Sequence, residues 1–247
     1  VVATRMAQKL ADIVVTEAGF AADLGAEKFF HIKCRSAGLR PSAAVLVVTR
    51  RALALHGIEN AVRHVDNVRS FGVPVVVCIN RFADDSQAEL LDIQSQLTDR
   101  GVPVAIADVR EGGGQGGVAL AERLLDCMEG PVELRFRYLL EAPLLGKIEA
   151  IATGIYGASK VELSSEARRE LARIEDLGYE SLPICMAKTP ASFSDDPKLV
   201  GAPRGFTLTV NSVRVSAGAG FVVASAGQIM TMPGLPKRPA ALSIDVD

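Results

Sequence analysis

Four short apolar runs, nearly free of polar interruptions, alternate with segments of helical period through the first half of this chain. They are Ile13–Val15, Ala43–Thr49 (AAVLVVT), Val73–Asn80 (VPVVVCIN) and Val102–Val109 (VPVAIADV). A strand that is apolar at every position has no side to turn to water. Such runs predict parallel strands covered by helices on both faces. The intervening segments can supply those helices. In Glu59–Ser70, Val62, Val65 and Val68 recur every three residues; in Ser86–Arg100, Leu90, Leu91, Ile93 and Leu97 mark one face. Strand–helix–strand repetition of this kind predicts an α/β fold with a mostly parallel sheet and flanking helices.

The texture changes after the glycine-rich stretch Gly112–Gly117 (GGGQGG) and the helix expected over Val118–Met128. Leu144–Tyr156 and Ser165–Leu177 read as amphipathic helices, with Ser164 or Ser165 as N-cap of the second. Leu182–Ala187 leads into a run punctuated by Gly, Ser and Pro, in which Phe206–Val215 and Phe221–Met232 read as antiparallel strands. A boundary near Gly130 divides residues 1–130, an α/β core with ligand-capable strand ends, from residues 131–247, a smaller α+β C-terminal domain.

Composition narrows the function. The 247 residues carry 27 Lys+Arg against 29 Asp+Glu. That balance lacks the cationic excess a nucleic-acid surface needs. No run approaches the roughly 20 apolar residues of a membrane span, and the start lacks the order of a secretory signal. The four cysteines form no CxxC pair and His31, His56 and His64 share no metal spacing, so a reduced protein without a metal site is expected. The chain opens on Val1 inside a helix-then-strand pattern, from which preceding sequence is expected.

Spacing alone is less specific about chemistry. No GxxxxGK[ST] phosphate cradle is present. Gly112–Gly117 could offer amides to a phosphate at a helix N-terminus or could form a plain strand-to-helix turn. Asp84-Asp85 and Asp195-Asp196 read as turn and cap residues. Arg50-Arg51 and Asn80-Arg81-Phe82 leave the carboxyl ends of strands, where parallel sheets place ligand groups.

Longer motifs carry more information. TEAGFAADLGAEKFFHIKCR (Thr16–Arg35), AAVLVVTRRALALHG (Ala43–Gly57), FGVPVVVCINRF (Phe71–Phe82), LPICMAKTPASFSDDP (Leu182–Pro197) and IMTMPGLPKRPAALSIDVD (Ile229–Asp247) occur in this order. Together they resemble the signatures TEAGFGADLGAEKF, VRALKMHGG, FGVPVVVAIN and LPVCMAKTQYSFSDDP, and the C-terminal wording, of formate–tetrahydrofolate ligases. The resemblance implies the C-terminal portion of a longer enzyme whose core is P-loop NTPase-like, with the phosphate loop outside these residues. It implies ATP-driven joining of formate to tetrahydrofolate through formyl phosphate. It also implies Mg²⁺ held by the missing N-terminal portion, activation by a monovalent cation, a homo-oligomer, and a cytoplasmic location, or an organellar one should a targeting peptide precede Val1.

Residue by residue, the resemblance places Phe82 against the pterin ring and Arg110 where the family has a second stacking aromatic, a tryptophan. Phe20, Ala21 and Asp23 fall on the nucleotide-facing segment, and Arg51 is a candidate anion contact. Ala21 replaces a family glycine, Ala54 a lysine and Ala191 a tyrosine. After Gly57 the chain passes directly to IENAVRHVDNV, where the family carries a further segment of about 20 residues, a length at which connections are commonly functional. These departures set a second reading, a catalytically inactive remnant kept as a structural module, beside the enzyme.

Overall fold

The computed structural model describes residues 1–227 together with Ile229 and Pro239. Helix α1 (Val2–Leu10) is followed by an extended stretch to Phe20. Two π-helical turns, Ala21–Ala26 and Phe29–Cys34, then run into the short α2 (Arg35–Ala37). The elements β1 (Ala44–Val48), α3 (Arg50–His56), α4 (Ile58–Arg69), β2 (Val75–Asn80), α5 (Gln87–Thr98) and β3 (Val104–Ala107) come next. They are followed by α6 (Val109–Gly112), α7 (Val118–Cys127), α8 (Leu144–Ile151), a third π-helical turn (Ala152–Tyr156), β4 (Lys160–Leu163) and α9 (Ser165–Asp176). The strands β5 (Ile184–Ala187), β6 (Thr207–Ser216) and β7 (Phe221–Ala226) complete the described elements.

The continuous apolar runs form the expected parallel sheet, in the order β1-β2-β3. Its central strand is buried from Val75 through Ile79, which is why no polar residue interrupts that run. Helix α4 packs on β1 and β2, α5 on β3, and α7 on β2 and β3. Val48 pairs with Ile79 and Asn80 with Ala107, so the three carboxyl ends emerge side by side. Strand β3 stops at Ala107 because the Asp108 carboxylate caps α6, accepting from Glu111 N at 3.4 Å.

The second sheet is mixed, in the order β4-β6-β7-β5. The expected antiparallel pair is β6–β7; β4 and β5 flank it, each parallel to its neighbour. Ser164 caps α9, its hydroxyl accepting from Ala167 N at 3.0 Å. The helix buries Ala167, Leu171 and Ile174, a 3–4 spacing that lays one stripe toward β6. One apolar core joins the two sheets, with Phe30 stacked on Phe71 at 4.5 Å between them.

Two sequence expectations need correction or qualification. Ile13–Val15 is not a strand: it pairs with no described strand, and Ile13 and Val15 are 59% and 87% exposed. An apolar run becomes a strand only when a neighbouring backbone takes up its N–H and C=O groups. Strand β7 ends at Ala226; of the rest of that run and the Ile229–Asp247 motif, all but Gly227, Ile229 and Pro239 lie outside the described residues. Among the described residues, no helix is long and apolar enough to cross a membrane.

Candidate functional site

The carboxyl edge of the three-stranded sheet collects most of the residues singled out by sequence. At the exit of β1, the Thr49 hydroxyl accepts from Ala52 N at 3.1 Å and starts α3, fixing the directions of Arg50 and Arg51. Arg50 Nε donates to Asp85 Oδ1 at 2.6 Å, and Arg51 Nη2 donates to Asp84 Oδ2 at 2.8 Å. Asp85 also accepts from Phe82 N at 2.9 Å, closing the turn after β2. The Arg50 hydrogen bond holds the Asp85 carboxyl below the usual carboxylate range, and Arg51 does the same for Asp84. Both arginines are thus largely neutralised by the acidic pair.

Phe82 is half-buried at the exit of β2, and the cation over its ring is Arg51, with the guanidinium carbon 5.7 Å from the centroid. Arg110, on α6 at the exit of β3, is exposed and lies 3.9 Å from Glu111. The two exits are tied by Arg81 N donating to Ala107 O at 2.9 Å and by Arg81 approaching Asp108 at 3.9 Å. Gly116 folds back onto this corner. Its carbonyl accepts from Asp108 N at 3.0 Å, and a Cβ at Gly116 would overlap the Asp108 carbonyl. That close approach accounts for a glycine in the GGGQGG stretch by turn geometry.

Ala21 and Asp23, two of the three residues expected on the nucleotide-facing segment, line a cavity of about 240 Å³ next to the end of β1. Its walls include Ala21, Asp23, Thr49, His56, His64 and Phe193. Phe20 precedes it with an exposed ring. Ala21 has φ +46°, the left-handed region, and among the described residues no other non-glycine residue has a positive φ. Asp23 is buried, with Oδ2 2.6 Å from Lys188 Nζ and Oδ1 3.8 Å from His64 Nδ1. Lys188 also donates to the carbonyls of Thr189, at 3.2 Å, and Ser192. Burial lowers the Lys188 pKa and the nearby Asp23 opposes that shift.

Several of these residues escaped sequence reasoning. Lys188 stands inside the recognised MAKTPASFSDDP motif, which marked the segment without marking the lysine. His64 packs on Phe193 with ring centroids 4.5 Å apart and the planes tilted by 34°, and burial lowers its pKa below the ordinary imidazole value. The Nδ1 atoms of His56 and His64 are buried without a hydrogen-bond partner among the described residues. His31, by contrast, is a core histidine: Nδ1 bonds Glu27 Oε1 at 2.6 Å while Nε2 accepts from Arg137 N at 3.1 Å. No group of three His, Cys, Asp or Glu side chains converges among the described residues as a metal site would require.

The whole chain is similar to known proteins. A family profile described as Formate--tetrahydrofolate ligase matches residues 1–247. A curated protein of that name from Symbiobacterium thermophilum is 52% identical over 265 aligned positions, and one from Staphylococcus aureus strain NCTC 8325 is 48% identical over 264. Each alignment covers 100% of this chain and 48% of the relative, so the chain spans about half their length. An alignment of 265 positions against 247 residues leaves the first relative about 18 residues that this chain lacks. In this structure α3 and α4 abut directly at Gly57, whose φ of +77° makes the corner.

Proposed function

Because the chain belongs to the formate–tetrahydrofolate ligase family, we propose that it forms the folate-facing and adenine-facing walls of an ATP-dependent ligase. The complete enzyme joins formate to the N10 amine of tetrahydrofolate. A formate oxygen attacks the terminal phosphorus of ATP, ADP leaves, and formyl phosphate results. N10 then attacks the formyl carbon, loses its proton, and expels phosphate as 10-formyltetrahydrofolate forms. Phosphorylation matters because hydroxide is a poor leaving group and phosphate a good one.

The observation that carries this reading is the common edge at which β1, β2 and β3 end. It carries a half-buried aromatic ring, Phe82, at the exit of β2 and a cavity walled by Ala21 and Asp23 at the exit of β1. Phe82 offers a flat face to the pterin, worth about 0.5–1.5 kcal/mol beyond burial. Arg110, one exit further, offers a guanidinium plane that can stack on the opposite face. Phe20, Ala21 and Asp23 border the nucleotide. Arg51, over Phe82 and paired with Asp84, is carried over as the candidate contact for an anionic part of the substrate, which would compete with Asp84 for it.

The phosphate loop of the P-loop NTPase-like core belongs to the remaining polypeptide. Mg²⁺ does not fit the described residues, since the Asp23 carboxylate is taken by Lys188 and no cluster of metal ligands converges. The ion is therefore assigned to that polypeptide, and activation by a monovalent cation is carried over from the family with the activity. Exposed apolar side chains that the remaining polypeptide would cover include Met6 and Leu10 of α1, Ile13 and Val15, and Val45 and Val47 of β1. Parallel sheets are covered on both faces in folded proteins. We carry over the family's homo-oligomeric assembly and cytoplasmic location with the activity.

The test is formation of 10-formyltetrahydrofolate by the complete polypeptide, dependent on ATP and formate together. Phe82→Ala should raise the KM for tetrahydrofolate by about threefold to tenfold, matching the stacking energy. Absence of product would overturn the ligase reading. An unchanged tetrahydrofolate KM in the variant would remove Phe82 from the site.

A further inference from the structure

Helix α4 borders a second cavity, of about 500 Å³, that the ligase reading does not use. Arg63, Asp66 and Asn67 line it from the helix, Gly154 and Gly157 from the third π-helical turn and its end, and Arg204 from the loop before β6. A Cβ at Gly157 would lie 2.8 Å from Arg63 Nη2 and 3.4 Å from Pro203 O, so Arg63 and the Pro203–Arg204 stretch meet over this glycine. A Cβ at Gly154 would lie 2.9 Å from Arg137 Nη2, so a third guanidinium lies against one of the glycines that line the cavity. None of the three arginines ion-pairs with a carboxylate within 4.0 Å among the described residues. Burial lowers the pKa of Arg63 and the Arg204 charge adds to that, while Asp66 opposes it. At the wall of the cavity, Asn67 is only 2% exposed and its Nδ2 has no hydrogen-bond partner among the described residues.

We propose that this groove binds a phosphate-group dianion. Two lining guanidiniums against one lining carboxylate leave one unbalanced positive charge, and Arg137 against Gly154 adds a second close by, an excess that suits a phosphate at neutral pH. Guanidinium forks fit tetrahedral oxyanions through paired N–H···O bonds. Glycine at 154 and 157 leaves room for the Arg137 and Arg63 guanidiniums to lie against the backbone, and the buried Asn67 amide supplies a donor with no acceptor among the described residues. The groove is separate from the cavity of Ala21 and Asp23, although Arg63 also lies 5.9 Å over the ring of Phe193 that lines it.

The test is calorimetric titration of the protein with inorganic phosphate at constant ionic strength and pH 7.5, with nucleotide, formate and folate absent. Arg204→Gln should weaken phosphate binding at least tenfold, and Asp66→Asn should tighten it severalfold. Arg204 is exposed and makes no ion pair among the described residues, so its variant should keep the parent's melting temperature without phosphate. No phosphate binding by the parent, or unchanged binding in both Arg204→Gln and Arg63→Gln, would overturn the assignment. So would succinate binding as tightly as phosphate, which would make the groove a carboxylate site. Because the titration omits every ligase substrate, its failure leaves the ligase reading standing, and failure of catalysis leaves this site standing.

Discussion

Replacing Ala21 by glycine should make this protein more stable. A left-handed conformation costs an L-residue about 1–2 kcal/mol, because Cβ crowds the following carbonyl oxygen. Ala21 adopts it at φ +46°. Glycine removes that crowding but gains unfolded-chain freedom worth about 0.4–1 kcal/mol. The methyl group is exposed, so little burial is lost with it. The balance is a stabilisation of about 0.5–1 kcal/mol, or a rise in melting temperature of about 1–4 °C for a chain of this size. Urea denaturation followed by circular dichroism should show a higher midpoint at an unchanged slope. Ala21→Val is the opposing control: a β-branched side chain in the same conformation should lower the midpoint. A glycine variant equal to or weaker than the parent would refute the claim that the backbone is strained there. The same substitution restores the residue found at this position in the family signature, so it also tests whether a methyl at the cavity wall impedes nucleotide binding.

Three further outcomes are expected. Gly116→Ala should destabilise by about 1–3 kcal/mol, because its Cβ meets the Asp108 backbone and no side chain can yield; thermal denaturation reads this directly. Arg110→Trp should lower the tetrahydrofolate KM of the complete enzyme if Arg110 stands in the stacking position, and an unchanged KM would refute that placement. For pH dependence, the folded chain holds His64 neutral below the ordinary imidazole value. The unfolded chain takes up a proton near pH 6.5 that the folded chain refuses, so stability is full above that pH and falls as pH is lowered through it. Asp23, Lys188, His56 and Arg63 face this imidazole and are common to both forms. Denaturation midpoints from pH 7.5 to 5 should therefore fall more steeply in the parent than in His64→Gln.

What the sequence determined by itself was the set of elements whose pattern is local. Strands β1 to β3 were legible because a strand covered on both faces must be apolar throughout. Helix α9 was legible from its stripe and its Ser164 cap, and the family from ordered motifs that cover the chain. Strand β4 was not marked, and Leu182–Ala187, which contains β5, was singled out without an element type, because four residues carry too little periodicity and only the neighbours β6 and β7 make them strands. The Ile13–Val15 run failed in the opposite sense, being apolar with no described partner. Tertiary structure alone decided the pairings on which the sites rest: Lys188 with Asp23, His64 against Phe193, Arg51 over Phe82, and Arg63 beside the Arg204 loop. Each joins positions far apart along the chain. Local periodicity records which side of an element faces inward; it carries no record of what waits there.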